Sequence, residues 1–168
     1  MTRRVVVAGI VALVAVAAWW WWPTDRRRIV AATQALVEAV SVPSSEPDLA
    51  RVTRAARLSR LLAPDFRLVD AQGRIVVDGR DTAIGFATKL QPPRGLQVSV
   101  GELELEIEAD RLTARARAWI TLTEPGEGGI AEPTETWQAV LDWAKGDAWA
   151  LSALTVSALA PEGQQKTN

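Results

Sequence analysis

The chain has 168 residues, 19 Lys and Arg against 20 Asp and Glu, a net charge of −1, eight Trp, and no His, Cys or Tyr. This inventory excludes zinc sites built on His and Cys, thiol nucleophiles, Ser-His-Asp triads and disulfides. Acid and base chemistry is left to carboxylates, Lys and water; no cofactor and no metal is expected, and the near-neutral charge gives no global pull toward nucleic acid.

Residues 1–4 form a short head with Arg3 and Arg4, and an uncharged apolar run follows from Val5 to Trp22. At about 1.5 Å per residue the run reaches roughly 27 Å, the length of a membrane-spanning helix. Trp19, Trp20, Trp21 and Trp22 close it, and consecutive indoles suit the membrane interface. A cleaved signal peptide is the competing reading, from the Arg pair and the small residues Val16-Ala17-Ala18; the Trp wall directly after that point favours an uncleaved anchor. Arg26, Arg27 and Arg28, offset by Asp25, nearly balance the head across the span. A tiny head with a translocated body is the usual arrangement, so a single-pass protein of the bacterial inner membrane with a periplasmic domain is expected, with membrane lipid as one partner. The excess of Arg over Lys and the abundant Ala and Val suit a GC-rich bacterial genome.

Residues 24–160 are long enough for one domain with its own core. A first helix, capped by Thr24 or Asp25, is predicted to about Val42, with Ile29, Thr33, Leu36, Val37 and Val40 at helical spacing. Asp48 opens a second, with Leu49, Val52, Ala56, Ser59 and Leu62 on its apolar face and Pro64 as its stop. Arg51, Arg54, Arg57 and Arg60 then spread around its solvated side. Two short strands, Phe66 to Val69 and Arg74 to Val77, flank a turn at Asp70–Gly73, and a third helix runs from Gly79-Arg80-Asp81 to Leu90.

The remainder reads as strands. Val98 to Ala109 alternates, with Glu102, Glu104, Glu106 and Glu108 on one face and Leu103, Leu105 and Ile107 on the other. Leu112 to Thr123 alternates as well, its Ala residues opposing Arg115, Arg117 and Trp119. A two-residue turn at Asp110-Arg111 places Glu106 opposite Arg115, Glu104 opposite Arg117 and Leu105 opposite Ala116, so charge and packing select one register. Arg111 is not the Gly that such a turn prefers, which leaves a longer loop open. After a flexible connection from Glu124 to Pro133, strands follow at Glu135 to Trp143 and Ala148 to Ala158, and residues 161–168 read as a disordered tail.

The series Leu61-Leu62-Ala63-Pro64-Asp65-Phe66, Gly73, Asp78-Gly79-Arg80-Asp81-Thr82-Ala83-Ile84 with Phe86, and the closing Lys145-Gly146-Asp147-Ala148-Trp149-Ala150-Leu151 resembles the nuclear-transport-factor-2-like superfamily, including its SnoaL-like branch. The resemblance covers residues 24–159. It implies an α+β fold, a cone of three helices packed on a curved antiparallel sheet with a pocket at its open end. Members of that superfamily include isomerases, cyclases, dehydratases and hydrolases, and also non-catalytic assembly modules behind a membrane helix.

Asp65 is the one weak catalytic candidate, a carboxylate at the junction of helix and strand that reads first as a turn or cap residue beside Pro64. The strand positions expected to face the pocket, Leu103, Leu105, Ile107, Ala114, Ala116 and Ala118, offer no acid, base or nucleophile. Trp137, Trp143, Trp149, Phe66 and Phe86 are expected to line the pocket or core. Trp119, with Arg115, Arg117, Glu104 and Glu106, is expected on the outer sheet face, where Trp119 is either part of a partner surface or covered by a helix or the Glu124–Pro133 loop. The expected role is a non-catalytic binding or scaffold subunit of a membrane complex, contacting other subunits or a second copy of itself. The alternative is a tethered small-molecule binder or SnoaL-like enzyme.

Overall fold

The computed structural model describes residues 24–125 and 131–158. Among them, α1 (Asp25–Val40), α2 (Asp48–Leu61) and α3 (Arg80–Lys89) lie against one six-stranded sheet. Its strands are β1 (Leu62–Val69), β2 (Ile75–Asp78), β3 (Gln97–Ile107), β4 (Thr113–Pro125), β5 (Ala131–Lys145) and β6 (Trp149–Ala158), in the order β2-β1-β6-β5-β4-β3. The architecture is α+β, as expected, but the sheet is mixed rather than antiparallel. β1 runs parallel to β6 because α2 delivers the chain to the end of the sheet at which β6 begins, pairing Leu62 with Leu151. Within the described residues no helix is long and apolar enough to cross a membrane. The head, the expected anchor at 5–22 with Trp19 to Trp22, and the tail at 161–168 lie outside the described residues.

α1 buries Ile29, Thr33 and Leu36 as predicted, with Ala39 buried and the predicted Val37 and Val40 half-buried. It stops at Val40, two residues early, because Val42 exchanges backbone hydrogen bonds with Leu96 at 2.7 and 2.6 Å. This bridge ties the α1–α2 connection to the entry of β3. Gly95 beside it has φ +80, and a Cβ there would stand 2.7 Å from the Ser44 nitrogen and 2.9 Å from the Val42 oxygen.

The expected apolar face of α2 is wrong. Leu49 and Val52 are 78% and 66% exposed, and the helix buries Arg54 and Leu58 instead. α2 lies between α1 and α3, and its inner face is set by Leu58 in the core and by an ion pair, 2.8 Å long, between the buried Arg54 and Glu46. Arg54 is therefore not on a solvated face. Neither Pro64 nor Phe66 marks the boundary: the helix ends at Leu61, and β1 starts at Leu62 and runs through Pro64.

Glu106 is opposite Arg115, Glu104 opposite Arg117 and Leu105 opposite Ala116, the register predicted from charge and packing. The connection is the longer loop. The Arg111 N–H donates to the Glu108 carbonyl at 2.9 Å, and Arg111 takes φ 56. The strict alternation of β3 is broken once. Val100 pairs with Ile120 and Leu103 with Ala118, so Gly101 and Glu102 together face Trp119. That bulge lets Val98 and Val100 share the inner face with Leu103, Leu105 and Ile107, and it bends the sheet over the helices. Ala116, Ala139, Leu141, Trp143 and Leu151 floor the core, with Ile29 and Leu58 above them.

Candidate functional site

Two surfaces of this frame offer a site: the recess between helices and sheet, and the outer face of the sheet. The recess holds about 150 Å³. α1 lines it with Thr33, Leu36 and Val40, α3 with Ala83 and Ala87, and the strands with Phe66, Val98, Val100, Ile120, Leu141 and Leu154. Among the described residues Thr33 is the sole polar side chain in this wall, and its hydroxyl already donates to the Ile29 carbonyl at 2.9 Å. A wall of this composition suits an apolar molecule. The residues that form it are not the predicted strand set: Ala114, Ala116 and Ala118 pack in the core beneath β4.

Asp65 is exposed and outside the recess, because β1 turns Phe66 inward and so turns its neighbour outward. Phe86 is also a correction. It is 68% exposed, since α3 directs Ala83, Ile84 and Ala87 at the core and leaves Phe86 on its outer flank. Phe66 is buried and lines the recess; Trp143 and Trp149 are buried at 1% and 5% exposure. The Trp143 indole N–H has no acceptor among the described residues. Trp137 is half-buried, and its N–H donates to Glu135 at 2.9 Å.

On the outer sheet face Trp119 is 41% exposed and shares a shallow cleft of about 130 Å³ with Glu102, Glu104, Arg117 and Gln138. Arg115 is aligned with Glu106 in register, yet its Nε donates to Asp142 on β5 at 2.7 Å. Asp142, helped by Glu108 and Glu106, holds the guanidinium pKa above its ordinary value. The expected ladder is thus offset by one strand, because Asp142 lies directly across from Arg115 in the β4–β5 pairing. Among the described residues no group of three acidic side chains could hold a metal.

Sequence reasoning missed the cluster at the start of α1. The Asp25 carboxylate accepts from Lys145 Nζ at 3.0 Å and from Trp149 Nε1 at 3.1 Å, and the ammonium lies 5.6 Å from the Trp149 ring centre. The Trp149 and Lys145 hydrogen bonds hold the Asp25 pKa below the ordinary carboxylate value. The partners are separated by more than a hundred residues, so no local spacing announces them.

No protein-family model and no curated protein matches the sequence. Solved structures do match in shape. A nuclear transport factor 2-like superfamily protein from Salmonella enterica serovar Typhimurium superposes with a TM-score of 0.61 at 11% identity, over 86% of this chain and 97% of that one. A protein with a cystatin-like fold from Caulobacter vibrioides gives 0.60 at 16% identity, over 82% and 91%. The association domain of C. elegans CaMKII gives 0.60 at 15%, over 79% and 95%. Six mixed strands bent around three helices, together with these superpositions, show that the chain has the nuclear-transport-factor-2-like, cystatin-like fold.

Proposed function

We propose that this chain is a membrane-anchored, non-catalytic binding or scaffold subunit of a bacterial membrane protein complex. Residues 5–22 would be its single span, Trp19 to Trp22 and Arg26 to Arg28 its interfacial belt, and the periplasm the location of its domain. The observation that carries the reading is where the chemistry lies. The recess wall holds no unengaged polar group, whereas the outer sheet face offers Trp119 among Glu104, Arg117 and Gln138. An exposed indole ringed by both signs of charge suits a protein partner, another subunit or a second copy of the chain. One of the similar folds is an association domain by name, which agrees with such a role.

The test is Trp119→Ala in the full-length protein in mild detergent. Loss of a co-purifying partner, or a drop in oligomeric mass by light scattering, is the expected result; unchanged partners and mass would remove this face from consideration. Resistance to alkaline carbonate extraction tests the anchor separately. A second reading follows from the recess itself: a tethered binder of a small apolar molecule. An enzyme of the isomerase, cyclase or hydrolase type would need an acid or base in that wall, and Asp65 lies outside it.

A further inference from the structure

The chain enters the described fold at Thr24, and Asp25 begins α1. Asp25 is bound to Lys145 at the end of β5, and the Lys145 backbone N–H donates to the Leu112 carbonyl in the β3–β4 loop at 2.8 Å. Three separate pieces of chain are therefore locked together at one end of the domain, beside the point where an anchor at 5–22 would leave the bilayer. At this end Leu112 is 57% exposed and adjoins the exposed Arg111, which the loop holds at φ 56. Asp110 fixes that conformation by accepting from the Leu112 N–H at 2.8 Å and the Thr113 N–H at 3.2 Å.

We propose that this end of the domain docks on an anionic lipid surface, with Arg111 and Leu112 forming a second contact beside Arg26 and Arg28. The proposal rests on the anchor reading above and deepens it: the domain lies against its membrane in one orientation instead of swinging from a tether. The pairing of an apolar side chain with a cation at a loop tip suits the boundary between headgroups and acyl chains. Asp25 and Asp110 are committed to Lys145, Trp149 and the loop backbone. Asp110, Asp147 and Glu108 are exposed and oppose docking, so the contact depends on Arg26 and Arg28 together with Arg111 and weakens with salt. The exposed Leu49, Val52 and Phe86 belong to α2 and α3, outside the three locked pieces.

The chain has no Cys, so Leu112→Cys gives one labelling site in the full-length protein. It would carry an environment-sensitive nitrobenzoxadiazole group in phosphatidylcholine vesicles with or without phosphatidylglycerol. The same label on Ala71→Cys, in the turn at the opposite end of β1, is the control. The expected result is a blue shift and quenching by acyl-chain nitroxides at position 112 alone, only with phosphatidylglycerol. Both effects should fade toward 1 M salt, where the screening length falls from about 8 Å to about 3 Å. A label that stays water-like on protein resisting carbonate extraction overturns the docking and leaves the anchor standing. Protein released by carbonate but shifted at position 112 in low salt overturns the anchor and supports the docking. Equal shifts at 112 and 71 overturn the stated orientation.

Discussion

At the scale of single residues, two charged groups carry weight that their neighbours do not. Arg54 is paired with Glu46 at 2.8 Å, with side chains only 6% and 7% exposed, and its Nε has no acceptor. Removing one partner of such a pair leaves the other charged, buried and uncompensated, a loss of about 3–5 kcal/mol. Arg54→Ala is therefore expected to destabilise the domain by that amount in urea unfolding, while the exposed Arg57→Ala stays within about 0.5 kcal/mol. Asp25 acts through pH. Its folded pKa lies below the ordinary carboxylate value, held there by the Trp149 and Lys145 hydrogen bonds. A depressed carboxylate contributes stability above the unfolded pKa and loses it as pH falls through the folded one. Asp25→Asn should lower the thermal midpoint at neutral pH, and its gap from the native protein should close below about pH 4, near the ordinary Asp value. A gap of constant size across that range would mean that the carboxylate is not what holds α1 to the β5–β6 turn.

At the scale of elements, β3 shows how a sheet acquires curvature without exposing its core. Gly101 and Glu102 share one partner, Trp119, and the extra residue restores Val98 and Val100 to the inner face. Deleting Gly101 regularises the strand and keeps each side chain on its face, whereas deleting Ser99 turns Val98 outward. The Ser99 deletion should cost about 1.5–3 kcal/mol more, the burial of one Val side chain, as read from the two unfolding midpoints. Comparable losses would show that the bend matters as much as the facing. The same strand explains what was legible in the sequence. Register was legible because Glu104, Glu106, Arg115, Arg117 and the Leu105–Ala116 pair all choose one alignment. Its bulge is also written there, as the shift from apolar even positions (Val98, Val100) to apolar odd ones (Leu103, Leu105), but strict alternation conceals it. The α2 face was not legible. Leu49, Val52 and Ala56 outnumber the buried Leu58, and only the distant Glu46 carboxylate makes room for Arg54 inside. The parallel β1–β6 pair and the Asp25 cluster join distant parts of the chain, where local periodicity carries no information.

At the scale of the molecule, the bent sheet and the helices border a partly open apolar recess of about 150 Å³. A hydrocarbon wall of that size accepts a benzene-sized molecule, and water that enters finds few hydrogen-bond partners along it. The site therefore constrains its own occupant. Anything with a neutral polar group buried there would lose its hydration without compensation, a cost of roughly 1–3 kcal/mol for each such group by protein mutational data, and a charge would cost far more. Ala87 on α3 faces this space and is half-buried, so Ala87→Leu adds carbons where the fold leaves room. Each buried methylene contributes about 0.8 kcal/mol, and strain takes part of it back. A net gain of about 1 kcal/mol and a rise of a few degrees in the melting midpoint are expected. The same substitution tests the recess against the outer face. Partner capture by the Trp119 face should be unchanged by Ala87→Leu, and small aromatic hydrocarbons should raise the midpoint of the native protein and fail to raise that of the filled variant. A native midpoint insensitive to those hydrocarbons would remove the ligand-binding reading and leave the recess as space beneath a curved sheet.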